Sequence, residues 1–492
     1  MESKNNPPGD LVDNGKYRVE TDSMGSVLVP AERLWGAQTQ RSLIHFAIGD
    51  NRMPKQLYHA YGYVKKAAAI VNAKVGKLSE DKANLIIQAA DEVIEGKLDR
   101  EFPLYVWQTG SGTQSNMNVN EVIANRAIQI SGGTLGTKNP IHPNDDVNLS
   151  QSSNDTFPTA MHIATIIALS QQLIPQVQQL MDLMWEKAKS WSHIVKIGRT
   201  HLQDATPLTV GQEWSGYVAQ LHQALERLHQ AKKELYELAA GGTAVGTGIN
   251  TPPNFSTMIA EEIAKLTNHP FITATNKYAA QASLDAMVQA SASIRSLAVA
   301  FIKIANDIRF LGCGPRAGIH ELQLPANEPG SSIMPGKVNP TQEEAMLMVS
   351  IQVIGYDNAV AFAGSQGNFE LNTMRPIIIY NVLQSISILS DACKSFLQYS
   401  IEGIQLNQAK IDQYVNRSLM LVTALTATIG YDKASEIAHL AFKQNLSLKE
   451  AAIQSGYIDE IEFDRLVQPE QMVGNPDEDL IQLTKKMDPN AF

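Results

Sequence analysis

The chain has 492 residues, 44% of them hydrophobic and 18% charged, with a formal net charge of −10. That length exceeds one compact core and predicts two to four structural units, and an acidic chain without a basic stripe argues against nucleic acid. The two cysteines, Cys313 and Cys393, lie far apart and form neither a disulfide framework nor a Cys-x-x-Cys metal pattern; they read as reduced thiols in a reducing compartment.

The head, MESKNNPPGD, has no apolar stretch and is poor in arginine. That argues against a secretory signal and a transit peptide. No window of about eighteen apolar residues occurs, so no membrane span is expected, and the cytoplasm is the expected location. Residues 1–25 read as a loose polar lead-in, with β-structure open over 17–29. Helical spacing of alanines and aliphatics runs over 56–95, broken near Gly76 and Gly96. Residues 103–155 are rich in Gly, Ser, Thr and Asn, with a helical island at 117–131 and possible β-structure at 135–141.

Five long segments of helical periodicity follow: 159–190, 208–239, 278–311, 341–363 and 376–401. At roughly 23–34 residues each they are about twice an average helix. They span roughly 35–50 Å and predict a bundle. Their faces carry Ala, Ser, Gln and Leu with few charges, so a monomer would cover them poorly; together with the low overall charge this predicts burial between subunits. Shorter helical segments at 408–429, 431–444, 447–455 and 459–467 form a small cap, and from Asn475 on the polar chain is expected to be ragged.

Four polar clusters punctuate this pattern. In TGSGTQSNMNVN, 109–120, two glycines allow close backbone approach and Ser111, Thr113 and Asn116 supply donors, ahead of a helix expected near Asn118. A helix start preceded by hydroxyls is an anion seat, or only a cap. In HPNDDVNLSQSSNDTFPT, 142–159, Ser152, Ser153 and Asn154 precede a bundle helix in the same way. By spacing alone, His142 is a turn histidine rather than a ligand. In GRTHLQDATPLTVGQEW, 198–214, His201 stands in a hydroxyl-rich helix lead-in, a better acid–base candidate than His162 or His439 within apolar helical pattern.

The fourth cluster is GSSIMPGKVNP, 330–340. It fails as a phosphate loop: five residues separate Gly330 and Gly336, and Val338 stands where Ser or Thr is required. GGTAVGTG, 241–248, lacks the context of a dinucleotide fingerprint and reads as a helix–helix break with close backbone approach.

Together these segments resemble the fumarase/aspartase superfamily, and within it the class II fumarase family. GSSIMPGKVNP resembles the superfamily signature; TGSGTQSNMNVNEV, HPNDDVN, SQSSNDTFPT and GRTHLQDATPLT resemble the fumarase forms of the other active-site segments. The resemblance runs from DSMG, 22–25, to PEQMVG, 469–474. Sister aspartases share the signature loop but typically carry Gln where this chain has His201, so His201 and GSGTQSN favour the fumarase branch. Aspartate ammonia-lyase, or another sister lyase, is the alternative.

The resemblance implies a mainly α, fumarase/aspartase-like fold. A central long five-helix bundle, 150–408, would form the multi-helix core of a homotetramer. It would be flanked by a mixed, mostly helical N-terminal domain, 1–149, and a small helical C-terminal domain with a polar tail, 409–492. Each active site would draw on three subunits. The implied activity is that of a hydro-lyase of the tricarboxylic acid cycle, reversibly hydrating fumarate to (S)-malate by anti addition through an aci-carboxylate carbanion.

The resemblance assigns Ser331 as base and His201, oriented by Glu344, as acid. It places Ser111, Gly112, Thr113, Ser152, Ser153, Asn154, Thr200, Ser332, Lys337, Val338 and Asn339 around the substrate. It matches His142, Pro143, Asn144 and Asp145 to a second carboxylate site. The reaction is redox-neutral, so no cofactor and no metal is expected, and two distant cysteines could not hold an iron–sulfur cluster.

Overall fold

The structure is a computed structural model that describes residues 15–487. The lead-in expected ahead of residue 15 and the tail end, 488–492, lie outside the described residues.

The described chain opens with an antiparallel hairpin, β1 (Tyr17–Asp22) and β2 (Gly25–Pro30), followed by α1 (Ala37–His45), α2 (Lys55–Lys74), α3 (Glu80–Ile94) and α4 (Thr113–Ile130). Gly76 and Gly96, at φ of 75° and 74°, close α2 and α3 where the breaks were expected. Helix α4 begins five residues ahead of the expected start at Asn118, and 135–141 forms no strand.

Next come α5 (Ser153–Ala168), a π-turn (Leu169–Leu173) and α6 (Ile174–Ser190). The hairpin β3 (Val195–Thr200) and β4 (Gln203–Thr209) leads into α7 (Val210–Leu235). Beyond it lie β5 (Glu237–Leu238), α8 (Phe255–Thr267), β6 (Ile272–Thr273), α9 (Lys277–Ala282) and α10 (Asp285–Leu311). Then follow β7 (Leu322–Gln323), α11 (Thr341–Gly364), β8 (Gly367–Asn368), β9 (Leu371–Asn372), α12 (Arg375–Tyr399) and β10 (Gln405–Leu406). The C-terminal helices are α13 (Gln408–Arg417), α14 (Thr426–Ile429), α15 (Tyr431–Gln444), α16 (Leu448–Ser455), α17 (Glu460–Leu466) and α18 (Pro476–Met487).

Helix α18 corrects the expectation of a ragged tail from Asn475 on. Asn475 Oδ1 accepts from the Glu478 N–H at 3.3 Å. Pro476 sits at the first helical position, acids fill the first turn and Lys485 and Lys486 the last. Each feature stabilises a short polar helix that hydrophobic periodicity alone does not reveal.

The chain forms two compact units. The first comprises the described residues up to Leu173, Arg227–Arg295 and Gln352–Ile388. Its core includes Tyr58 stacked on Phe102 at 4.4 Å and Tyr61 edge-on to Phe157 at 6.1 Å. The second comprises Ile174–Glu226, Ser296–Ile351 and the described residues from Leu389 on. Trp214, fully buried, meets Trp191 edge-on at 4.8 Å, and Leu425, Ile437, Ala451 and Phe463 centre an apolar cluster of the C-terminal helices. Burying each such large side chain stabilises by roughly 1.5–3 kcal/mol.

Among the described residues, four helical segments are by length and mean hydropathy long and apolar enough to cross a membrane, which the sequence reading did not expect. Three of them bury 56–72% of that apolar window inside the protein, and α11 only 33%.

Candidate functional site

In the first unit the starts of α4 and α5 meet. Gly112, at φ of 80°, caps α4, and a Cβ there would lie 1.9 Å from the Phe157 ring on α5. Only glycine satisfies both the backbone and that contact. The Ser111 hydroxyl is 2.9 Å from the Thr113 hydroxyl, which is 2.8 Å from the Ser153 hydroxyl on α5. Two of the expected clusters therefore form one hydroxyl row.

Ser152 caps α5 by accepting from the Asn154 N–H at 3.2 Å, and Asp155 returns the bond from the Ser152 N–H at 2.9 Å. This is a capping box. The second oxygen of Asp155 accepts the N–H groups of Gly241 and Thr243 at 2.8 and 3.0 Å, so the glycine-rich segment 241–248 packs over the α5 start. Asn154 donates to the Ala244 carbonyl at 2.8 Å.

Two buried cations lie behind this row, and the sequence did not reveal them. Arg375, fully buried, donates to the Gln281 carbonyl at 2.7 Å and faces the carbonyls of Ser111 and Ser153 at 3.4 and 3.5 Å. Burial pulls its guanidinium down to about 10. Lys65 on α2, also fully buried, donates to the side-chain oxygens of Asn116, Gln151 and Asn148. Burial pulls its ammonium down to about 7. Asp155 is the carboxylate that acts on both. A charge within the Ala-rich stretch 64–70 reads as solvent-facing, and the sequence carries no signal against that reading.

His142 caps the turn that follows it: its Nδ1 accepts the N–H groups of Asn144 and Asp145, each at 3.1 Å. His142, Pro143 and Asn144 line a cavity of about 320 Å³, whose other walls include Glu20, Glu121 and Lys138.

The second unit holds the remaining predicted residues. Thr200 ends β3 and Gln203 opens β4, so His201 and Leu202 are the whole two-residue turn. Their φ values are 56° and 60°. Such turns favour Asn-Gly, and a bulky His-Leu pair there is strained. The hairpin is held by ionic contacts: buried Lys196 meets Glu213 at 2.8 Å and Glu321 at 2.9 Å, and Arg199 meets Glu321 at 2.7 Å. Glu321 thus ties the His201 hairpin to the segment leading into the signature loop.

That loop is closed on itself. Gly330 N–H donates to the Lys337 carbonyl at 3.0 Å, and a Cβ on Gly330 would lie 2.2 Å from that oxygen. Ser331 Oγ accepts the N–H groups of Ile333 and Met334 at 3.3 and 3.0 Å. Lys337 donates to Asn339 Oδ1 at 2.6 Å, and Asn339 donates to the Gly330 carbonyl. Lys337, Val338 and Asn339 line a cavity of about 540 Å³ with Arg309, Cys313 and His320. Ser332, Val338, Thr200, His201 and Glu344 are exposed, whereas Glu343 is buried and bonded by Ser400. Among the described residues, no hydrogen bond or ion pair joins His201 or Glu344 to another side chain.

Chemically, one unit presents a hydroxyl row backed by buried cations. The other presents a histidine on a strained turn and a serine–lysine loop, a set suited to binding anions and moving protons. Long helices carrying these segments define a helical lyase: residues 25–355 match the family model described as lyase, and 421–474 match that of the fumarase C C-terminus.

The chain is 68% identical to a class II fumarate hydratase of Methanosarcina acetivorans, over 94% of this chain and 96% of that protein. It is 59% identical to one of Thermosynechococcus vestitus, over 93% and 98%. The crystal structure of a class II fumarase from Schistosoma mansoni superposes with a TM-score of 0.91 at 42% identity, over 93% of this chain and 99% of that one. The chain belongs to the class II fumarate hydratase family of lyases.

Proposed function

We propose that this hydro-lyase interconverts fumarate and (S)-malate with Ser331 as the base and His201 as the acid. The observation that carries the base is its loop: two backbone N–H groups already point at Ser331 Oγ. Such donors favour an alkoxide over the neutral hydroxyl. The alkoxide takes the C3 proton of malate, and the carbanion is held as an aci-carboxylate. Lys337 and Asn339 supply donors to that double charge, and each preorganised donor lowers the barrier by about 3 kcal/mol. His201, oriented by Glu344, delivers the proton with which the C2 hydroxyl leaves as water.

The substrate carboxylates are held by the hydroxyl row of Ser111, Thr113 and Ser153. Gly112, Ser152, Asn154, Thr200, Ser332 and Val338 complete the wall. His142, Pro143, Asn144 and Asp145 form a second carboxylate site, with Lys138 as its nearby cation. The reaction is balanced without metal or cofactor.

One chain divides these groups between two compact units, and the full site is assembled in a homotetramer from three subunits. Helix α11 supports this. Met348, Ile351 and Phe362 are 66%, 63% and 76% exposed on an apolar helix, the pattern of a helix covered by other subunits. The three-domain division at 149 and 408 and a cytoplasmic location belong to the same reading.

Absorbance assays of fumarate formation from malate and from aspartate test it. Formation from malate alone supports the hydratase; formation from aspartate alone makes the chain an ammonia-lyase.

A further inference from the structure

We propose that Lys65 is a positioning residue for dicarboxylate binding: its buried ammonium gathers three amide side chains and so fixes the start of α5 against the start of α4. This rests on the dicarboxylate reading of the hydroxyl row.

The contacts run from Nζ to Asn116 Oδ1 at 2.7 Å, Gln151 Oε1 at 2.9 Å and Asn148 Oδ1 at 3.1 Å. All three partners are oxygens, and an ammonium has three N–H groups to give. A neutral amine has two, and its lone pair would face the third oxygen. The geometry is therefore that of the charged form, buried without a carboxylate in contact.

Each partner sits beside a functional segment. Asn116 is one turn along α4 from Thr113, and its Oδ1 also accepts from the Thr156 hydroxyl on α5 at 3.2 Å. Gln151 immediately precedes the Ser152 cap. Asn148 ends the turn that His142 begins, and it also accepts from the Nδ2 groups of Asn116 and Asn120, each at 3.1 Å. One cation thus clamps α2, α4, the 143–147 turn and the α5 cap. Replacing it removes the common donor from one buried and two partly buried amide oxygens, which loosens the hydroxyl row rather than the whole unit.

The surroundings explain why the clamp responds to pH. Burial disfavours the charge and brings the ammonium down to about 7. Asp155 on α5 opposes this; among the described residues it is the charged group that acts on Lys65. On its own helix, the Tyr61 ring centroid lies 5.7 Å from Nζ, and burial keeps the Tyr61 hydroxyl neutral. Loss of the Lys65 proton turns a lone pair toward one amide oxygen, so binding weakens as pH rises through neutrality.

The test measures kcat and KM for malate, and the melting-temperature rise given by succinate, from pH 6 to 9. Wild type, Lys65→Met and Gln151→Leu are compared. The wild-type KM is expected to rise with pH through one ionisation, with the succinate effect falling in parallel. Lys65→Met should show a KM raised about tenfold at pH 6, a pH-independent KM, and a kcat within about threefold of wild type. Gln151→Leu removes one acceptor from the ammonium, so it should keep the ionisation but move it to lower pH. It carries the test by itself if Lys65→Met does not fold. A purely structural lysine would lower the melting temperature of both variants yet leave the pH profiles as in wild type, and that result overturns the proposal. If wild type turns over no malate, the functional reading fails, and the succinate profiles still decide the role of Lys65.

Discussion

The hydroxyls of Thr113 and Ser153 lie 2.8 Å apart although forty residues separate them in the chain. The contact joins the first turns of two helices whose N-termini both favour negative charge. If the pair receives one substrate carboxylate, Thr113→Val and Ser153→Ala each raise KM for malate about tenfold, the loss of one hydrogen bond to a charged group. Because the hydroxyls touch, the double variant should cost less than the sum of the two. Steady-state kinetics on the three variants measures this.

Ser331→Ala should lower kcat for malate dehydration by at least about a hundredfold, the contribution expected of a positioned base. Ser331 lies in a loop whose closure rests on Gly330, Lys337 and Asn339. The melting temperature should therefore stay within about 2 °C of wild type. Retained turnover would remove Ser331 from the mechanism.

His162 gives a stability prediction with a definite sign. Burial holds this histidine neutral and lowers it to about 4, while its Nδ1 meets the carbonyls of Leu235 and Glu237 at 3.1 and 3.0 Å. The unfolded chain takes up that proton near the ordinary value, so the stabilisation is complete above about pH 6.5 and is lost as pH falls toward 4. The loss is about 3 kcal/mol. Denaturant titrations at pH 7 and pH 4 should show it, and His162→Gln should abolish that part of the pH dependence.

Ile351→Glu places a carboxylate on the exposed apolar face of α11. If this face is covered in the proposed tetramer, the variant dissociates it, read by sedimentation, and loses activity. An unchanged assembly would mean that this face is not an interface.

The long helices were legible because apolar periodicity sustained over several turns has few competing explanations. The glycine breaks at Gly76 and Gly96 were legible for the same reason. The hairpin at 195–209 was not: its turn residues are His201 and Leu202, neither of which advertises positive φ, so the segment read as a helix lead-in. Helices α1 and α8 were missed; nine and thirteen residues give a short periodic signal. The hydroxyl clusters could be read as helix caps, but their meeting across α4 and α5 is tertiary, as is the burial of Lys65 and Arg375. Whether a charge on an alanine-rich helix faces water or a ring of amides depends on elements remote in sequence.

The account's central claim is that separate chains complete one dicarboxylate site, and complementation tests it most directly. Ser331→Ala chains and Thr113→Val/His201→Asn chains, each nearly inactive alone, are to be co-expressed under different tags and the hybrid tetramers purified. Where the serine comes from one chain and the threonine and histidine from others, some sites regain a full wild-type set. The account predicts recovery of a substantial fraction of wild-type malate dehydration, on the order of one tenth or more. Hybrids no more active than the parent variants would contradict it.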